Sequence, residues 1–298
     1  MELQRYGVRK YPVSSALLAS SAGTGWSTVF AELRAHAAGE APPVVPQYVE
    51  ICMVVSGNDE CLVGRRGDGF DQTARAANGA LWLSPTGIGK QMSISAPIPQ
   101  TLHLYLPTTP FDRLQDDFTL PAAAWESVRM AAGVHDEVIA GIGRSILSEL
   151  RGETSGGQMY IETASLMLTA RLLQRYCEDA PPAPADSFAH GLDHARLRRV
   201  LDYIADNLDR DISLSELAGV AGYSSFHFAR KFAMAAGISP HRYVSQMRLE
   251  KAMAELTEGK LGLAEIALNA NFSSQSSFTR AFHRATGVTP REYQRQRL

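Results

Sequence analysis

Over residues 1–110 the hydrophobic positions fall in short runs that turn-forming residues separate. Glycine, asparagine and proline stand between the runs, for example at Gly57-Asn58, Asn78-Gly79 and Pro85. Many short strands at this spacing are typical of a β-sandwich or a β-barrel. The runs with strand character cover residues 26–33, 47–55, 81–84, 91–95 and 101–106.

Two segments with helical periodicity follow, at about residues 126–151 and 159–178. In the first, Val134, Val138 and Ile142 recur at roughly helical spacing, and the pattern is interrupted after residue 151. We interpret these segments as helices that pack on the β-domain, that form part of a dimer seam, or that do both.

A proline-rich stretch at residues 181–191 separates this region from the rest of the chain. Prolines stiffen a segment and stop a helix, so we interpret the stretch as a linker. The sequence therefore predicts a domain at residues 1–180, a linker at 181–191 and a helical domain at 192–298.

The helical domain contains the same unit twice, at residues 214–243 and 263–293. Leu214 matches Leu263 and Tyr243 matches Tyr293, which makes the second copy one residue longer; the extra residue lies between Phe272 and Phe278. A repeat of this length indicates a repeated supersecondary unit. The other identical pairs are Glu216/Glu265, Ala218/Ala267, Ser224/Ser273, Phe228/Phe278, Arg230/Arg280, Phe232/Phe282, Gly237/Gly287 and Pro240/Pro290.

The polar residues of each copy predict where its helices begin and end. Ser213 and Glu216 have the spacing of a capping box, Gly222 and Gly237 are helix-ending glycines, and Pro240 opens a longer helix to about residue 256. A helix, a short turn and a second helix form the helix-turn-helix pattern, whose second helix enters the DNA major groove.

A helical wheel predicts which residues of the second helix face DNA. Phe228 and Phe232 mark the buried face of the first copy, and Arg230 points about 180° away from it. Arg280 has the same position in the second copy, and arginine can pair with guanine through two hydrogen bonds. The predicted DNA-binding residues are Ser225, Phe226, His227, Arg230, Lys231, Ser274, Gln275, Ser276, Ser277, Arg280 and Arg284.

Each of these residues also has an interpretation without DNA. The arginines can be solvated surface residues, Gln275 and Ser276 can cap their helix, and Phe226 can pack on a neighbouring helix. The helix between the two copies spans about 25 Å. Adjacent major-groove faces lie about 34 Å apart, so two reading heads at its ends could reach both.

Charge separates the two halves of the chain. Its net charge is −2, but residues 190–298 carry 15 Lys and Arg against 11 Asp and Glu, a net of +4. A basic C-terminal part favours a polyanionic partner.

No segment has the apolar core of a signal peptide or the roughly 18 apolar residues of a membrane span. We therefore expect a soluble cytoplasmic protein with no membrane partner. Cys52, Cys61 and Cys177 form no CxxC pair, so we expect no disulfide framework and no zinc site. Cys61 lies near Arg65 and Arg66, and because basic neighbours favour the thiolate, a reactive thiol at Cys61 remains an open alternative.

The second copy resembles the signature of the AraC/XylS family of bacterial transcriptional regulators. The resemblance is carried by Glu265-Ile266-Ala267, residues 272–282, residues 287–290 and Tyr293. Asn271 stands where the family usually has glycine, and asparagine tolerates a left-handed backbone. Ala229 replaces a polar residue often found before the arginine in the first copy.

The resemblance implies the fold class and the partners. The fold would be a multidomain α+β protein: a cupin-like β-barrel or sandwich with two or more helices, which senses an effector and dimerises, and then two helix-turn-helix units joined by a long helix. The partners would be double-stranded DNA, an unknown small-molecule effector, a second copy of the chain and, for an activator, RNA polymerase. It implies no catalytic residue and no cofactor.

Two alternatives remain open for the N-terminal domain. A cupin-like domain can be a metal-dependent enzyme, but His36, His103 and His135 are far apart in the sequence and form no His-x-His pair. The second alternative is a regulator that binds no small-molecule ligand. The candidate effector-binding residues, for which core packing is the competing interpretation, are Trp26, Phe30, Tyr48, Met53, Trp82 and His103.

Overall fold

The computed structural model describes residues 6–11, 15–67, 69–118, 123–152, 157–177, 191–272 and 274–297. It divides into two compact units. Unit 1 is Met1–Leu150 with Ala164–Ala183, and unit 2 is Arg151–Thr163 with Pro184–Leu298. The predicted linker lies outside the described residues except for Gly191.

Unit 1 is built on two antiparallel sheets, as a sandwich of two layers. A six-stranded sheet has the order β1-β2-β9-β4-β7-β10, and a four-stranded sheet has the order β3-β8-β5-β6. The sheets do not close into one barrel, so the sandwich of the two predicted architectures is confirmed. The strands are β1 Ser15–Ser20, β2 Phe30–His36, β3 Gly39–Val44, β4 Val49–Ser56, β5 Asn58–Gly67, β6 Phe70–Ala76, β7 Leu81–Ser84, β8 Lys90–Ile94, β9 Ile98–Leu106 and β10 Ala131–Val134.

The central strands of the larger sheet, β2, β9, β4 and β7, are largely buried on both faces, and strand alternation assigns residues to these faces. Cys52 pairs with both Trp82 and His103, so these three side chains share one face. Met53 and Leu102 point the other way. On that side a Cβ atom at Gly143 would lie 3.0 Å from the end of the Met53 side chain, so a larger residue there would require Met53 to shift.

The helices of unit 1 differ from the predicted segments at one end. The described helices are α1 Tyr6–Lys10, α2 Thr109–Phe118, a short 3₁₀ helix Ala124–Ser127, α3 Glu137–Leu150 and α4 Gly157–Tyr176, and the units divide α4 after Thr163. The periodicity at 126–151 predicts a helix that begins well before Glu137. Residues 131–134 form strand β10 instead, because they pair with β7 and Gly133 has a φ of +63°.

Unit 2 is helical. Its helices are α5 His194–Asp206, α6 Leu214–Ala221, α7 Ser225–Ala236, α8 Pro240–Glu258, α9 Leu263–Asn269, α10 Gln275–Thr286 and α11 Pro290–Arg297. The capping box of Ser213 and Glu216 is confirmed, as are the left-handed Gly222 and Gly237 and the Pro240 start. Among the described residues, no helix is both long and apolar enough to cross a membrane.

Helix α8 joins the two helix-turn-helix units along one buried stripe. Its buried residues recur every four positions, Pro240, Val244, Arg248, Ala252 and Leu256. The ends of the stripe serve different cores: Tyr243, beside Val244, packs its ring on Phe232, whereas Ala252 and Leu256 pack with Phe278 and Phe282.

The middle residue of this stripe is an arginine. Arg248 is 3 % exposed, and its guanidinium donates to the Leu208 carbonyl at 3.0 Å and to the Arg210 carbonyl at 2.6 Å. Both acceptors lie in the loop between α5 and α6. Arg248 therefore ties the connecting helix to the first helix-turn-helix unit through polar bonds.

We predict that Arg248→Met destabilises unit 2 by roughly 1–3 kcal/mol, because the buried carbonyl of Leu208 loses its donor and the partly buried carbonyl of Arg210 loses a hydrogen bond. Urea unfolding followed by far-ultraviolet circular dichroism measures this change. The matched control is Arg242→Ala, which removes the same charge from an exposed position of α8 and should change stability by about 0.5 kcal/mol or less. Equal effects of the two changes would contradict the structural role of Arg248.

Candidate functional site

Helix α7 is the first candidate reading helix. Ser224 caps it by accepting from the His227 N–H at 3.4 Å. Phe228 and Phe232 are fully buried, and Arg230 is exposed on the opposite side, as the wheel predicts.

Helix α10 is the second and follows the same plan. Ser274 caps it by accepting from the Ser277 N–H at 3.2 Å. Phe278 and Phe282 are fully buried, and Arg280 is exposed. The Arg280 guanidinium lies 3.4 Å from the Ser277 hydroxyl.

The caps refine the alignment of the two copies. The sequence match pairs Ser224 with Ser273, but the residue that caps α10 is Ser274. The extra residue of the second copy therefore lies before its cap. Phe226 then corresponds to Ser276, and the two arginines have equivalent positions in their helices.

The remaining predicted DNA-binding residues differ in exposure. Ser274, Gln275, Ser276 and Arg284 are exposed, whereas Ser277 is only 4 % exposed and accepts from the Ser274 hydroxyl. In the first copy the predicted residues other than Arg230 are half-buried, and the Lys231 ammonium lies over the Tyr223 ring. The half-buried residues are Ser225, Phe226, His227 and Lys231.

Asn271 confirms the left-handed backbone expected of it. Its φ is +58°, and its side-chain amide donates to the Asp211 carboxylate at 2.6 Å. This bond connects the turn of the second helix-turn-helix unit to the α5–α6 loop, which Arg248 also contacts.

Unit 1 contains a cavity between its two sheets. Its volume is about 40 Å³, and residues from both sheets and from the α1 segment line it. The lining residues are Lys10, Tyr11, His36, Cys52, Val54, Val63, Arg65, Trp82, Ser84, Lys90, Met92, Ile94, Ile98, Thr101 and His103.

The structure brings two of the predicted effector-binding residues, Trp82 and His103, to this cavity. Phe30 and Tyr48 pack in an aromatic cluster with Tyr6 and Tyr105 instead. Met53 points to the opposite face of its sheet, and Trp26 is half-buried outside the strands.

A buried carboxylate and its cations lie beside the cavity. Glu50 accepts from Lys10 at 2.6 Å, from Lys90 at 2.7 Å and from the Tyr6 hydroxyl at 2.9 Å. Burial alone would raise the pKa of the Glu50 carboxyl, but the two ammonium groups outweigh it and hold the pKa at about 2. Arg65 donates to neutral acceptors, among them the Leu83 carbonyl and the Ser84 hydroxyl.

Two histidines that are distant in sequence meet in the cavity wall. Nε2 of His36 lies 2.8 Å from Nε2 of His103, and Nδ1 of His103 lies 3.2 Å from the Cys52 sulfur. Burial, together with Arg34 and Lys10, lowers the pKa of His36 to about 4, so its ring is neutral at pH 7. His135 is exposed elsewhere. Across the described ranges, no group of three His, Cys, Asp or Glu residues has the arrangement of a metal site.

Cys61 is fully buried in the apolar core between the sheets. Its sulfur donates to the Ala96 carbonyl at 3.0 Å, and its neighbours there include Val63 and Ile94. The Arg65 guanidinium is instead engaged by Leu83 and Ser84.

The sequence analysis missed most of the polar cavity wall. Lys10 with Tyr11, Arg65, Lys90 and Thr101 come from four separate segments, so no local pattern groups them. The one usable signal is the alternation of side chains along a strand. Because Trp82 faces the cavity, Ser84, two residues later in the same strand, faces it too.

Known proteins match the region of the two reading helices. A helix-turn-helix domain model matches residues 217–296. The transposon Tn10 TetD protein of Escherichia coli is 40% identical over 102 residues, which cover 34% of this chain and 74% of that protein. An uncharacterised helix-turn-helix transcriptional regulator of Staphylococcus aureus is 36% identical over 106 residues, 36% of this chain but only 14% of that protein.

A solved AraC-type transcriptional regulator from Chromobacterium violaceum is 26% identical, with a TM-score of 0.33, over 35% of this chain and 92% of that chain. The sequence relatives and the two capped helix-turn-helix units define a DNA-binding transcriptional regulator. The chain belongs to the AraC/XylS family.

We predict that acid destabilises unit 1 in two steps. The unfolded chain protonates His36 below about pH 6.5, whereas the folded chain does so only near pH 4. The contribution of His36 to the free energy of unfolding is therefore complete above pH 6.5 and is lost as the pH falls from 6.5 to 4. Glu50 contributes stability above pH 4.5 that is lost toward pH 2. The contributions of His36 and of Glu50 are each about 3 kcal/mol.

Urea unfolding at several pH values, followed by tryptophan fluorescence, measures these steps, because all three tryptophans lie in unit 1. Glu50→Gln should remove only the lower step. His36→Gln should reduce the upper step without abolishing it, because burial also holds the pKa of His103 well below 6.5. A lower step that persists in Glu50→Gln would contradict the assignment.

Proposed function

We propose that this regulator reads two successive major grooves, with Arg230 and Arg280 as its base-reading residues. The observation that supports this is their shared position: each is exposed opposite a fully buried phenylalanine pair in a capped helix. A guanidinium on the outer face of a helix in the major groove can bind N7 and O6 of guanine.

The residues at the start of each helix are proposed to contact the DNA backbone. Ser225, Gln275 and Ser276 lie in the first turn, where free backbone N–H groups and the helix dipole favour phosphate. Lys231, His227 and Arg284 add donors. Ser277 supports the helix start from inside.

The two halves of the DNA site are proposed to contribute unequally. At equivalent positions the first helix offers Phe226 and the second offers Ser276. A phenyl ring can contact a thymine methyl group, whereas a serine hydroxyl can bond to a base edge or a phosphate.

Helix α8 supports simultaneous binding of both halves. Its 19 residues span about 28 Å. This length is close to the separation of about 34 Å between adjacent major-groove faces. Because α8 packs into both helix-turn-helix cores, the two reading helices would approach DNA as one body.

The cavity of unit 1 is proposed to hold a small-molecule effector that changes DNA affinity. Apolar lining with a few converging polar groups is the usual composition of a ligand site. Residues 1–180 would then be the sensor and dimerisation domain, 181–191 a linker and 192–298 the DNA-binding domain. We propose a cytoplasmic location, where a regulator of this kind has access to the chromosome. As an activator it would contact RNA polymerase.

We expect Arg230→Ala and Arg280→Ala each to relax base preference at one position, in its own half of the site. The loss of discrimination there should be about tenfold, from an arginine–guanine pair worth about 1–3 kcal/mol. Competition binding with operator variants, at one fixed salt concentration, measures this.

The matched control is Arg66→Ala, which removes the same charge from an exposed residue of unit 1. It should leave the base preference unchanged. If the two test variants instead weakened binding equally to every sequence, they would be phosphate contacts and the proposed reading mode would be wrong.

We also propose that the protein forms a homodimer through α3 and α4. Met167 in α4 is 48 % exposed, and Val138 in α3 is 44 % exposed. Sedimentation of the full chain at micromolar concentration should show a dimer, and Met167→Glu should shift it toward monomer. Leu17→Glu, at a similarly exposed position of β1, is the control; a monomer in the wild type would remove the proposal.

A further inference from the structure

Three polar atoms of the cavity wall have no hydrogen-bond partner. They are Nε of Arg65, Nε1 of Trp82 and the Thr101 hydroxyl oxygen, and these residues are 3–5 % exposed. In the part of the chain that the structure describes, only Ser15 and Thr28 have side-chain atoms in the same condition. A buried polar group without a partner costs about 1–3 kcal/mol, so their convergence on one cavity points to a ligand that supplies partners.

The charge around the cavity identifies the sign of that ligand. Lys10, Arg65 and Lys90 line it, and Glu50 is the carboxylate that pairs with both lysines. Three buried cations thus face one buried anion. Burial, together with the neighbouring Lys10, lowers the pKa of Lys90 to about 8, so the charged form of Lys90 is disfavoured in this wall. An anion would offset it.

The rest of the wall limits the shape and size of the ligand. Val54, Val63, Met92, Ile94 and Ile98 form an apolar side, which suits hydrocarbon better than a hydroxylated body. The volume of about 40 Å³ is equivalent to a few water molecules. The ligand therefore has few heavy atoms.

We propose that the cavity of unit 1 binds a short-chain carboxylate, whose oxygens accept from Arg65 and Trp82 beside Lys90 and whose hydrocarbon end lies against Val63 and Ile98. This inference rests on the proposed function of the cavity as the effector site. The N–H groups of Arg65 and Trp82 are donors, and Thr101 adds a hydroxyl that can donate as well.

Calorimetric titration of the full chain with butyrate tests the inference, and butyramide is the isosteric neutral control. Butyrate should bind at one site per chain, and butyramide about tenfold or more weakly, because hydrogen bonds to a charged acceptor are stronger. Equal affinity of the two compounds, or binding of neither, would overturn the inference. Binding of chloride or phosphate with no gain from the hydrocarbon end would also overturn it.

Two conservative variants separate a binding role from a structural one. Thr101→Val removes an unpartnered hydroxyl at nearly constant volume, so the ligand-free protein should be as stable as wild type or more stable. Trp82→Phe also removes an unpartnered N–H, but it leaves a larger cavity and should lower stability. Both should bind butyrate about fivefold more weakly. Thr28→Val, which removes a similarly unpartnered hydroxyl outside the cavity, should leave butyrate affinity unchanged. Unchanged affinity in both cavity variants would contradict the assignment.

Operator affinity with and without butyrate distinguishes this inference from the proposed effector control. Butyrate that binds without changing operator affinity would support the ligand class and contradict effector control by it. A neutral compound that binds the cavity and changes operator affinity, where butyrate does neither, would contradict the ligand class and leave effector control standing.

Discussion

The hydrogen bonds of one buried guanidinium determine whether unit 2 can act as a single DNA-binding body. Arg248 lies in the middle of the buried stripe of α8 and donates to two carbonyls of the α5–α6 loop. The apolar ends of the same stripe pack into separate cores. The two hydrogen bonds of Arg248 join α8 to the loop that precedes the first helix-turn-helix unit. Asn271 of the second helix-turn-helix unit donates a hydrogen bond to Asp211 in the same loop.

Within this frame, four phenylalanines orient the two reading helices. Phe228 and Phe232 bury one face of α7, and Phe278 and Phe282 bury the same face of α10. Burying such a side chain stabilises the fold by about 1.5–3 kcal/mol, so rotation of either helix about its axis is strongly disfavoured. The outward direction of the two arginines is a consequence of that packing. In the proposed reading mode, specificity would depend on a core that does not contact DNA.

Local sequence patterns predicted unit 2 well and unit 1 only in part. Caps, helix-ending glycines and the left-handed Asn271 are local features, so spacing along the chain was sufficient. The cavity depends on pairing between distant strands: Met53 and Cys52 exchange faces if the register shifts by one residue. The spacing of Val134 predicts a helix where the structure has strand β10. Only its pairing with Leu81 in β7, which the local pattern does not contain, shows that this segment is a strand. Lys10 and Lys90 meet at Glu50, which is 40 residues from each of them, and nothing nearby in the sequence reveals this shared buried anion.

We propose that the chain combines two DNA-reading helices with a cavity whose surplus of buried cations favours an anion. In this proposal both reading helices engage DNA at once, each through an arginine. Guanine-methylation interference on the operator, with the full-length protein, tests this most directly. We predict two clusters of essential guanines on one face of the DNA, about one helical turn apart. A single cluster, or binding that guanine methylation does not disturb, would contradict the account.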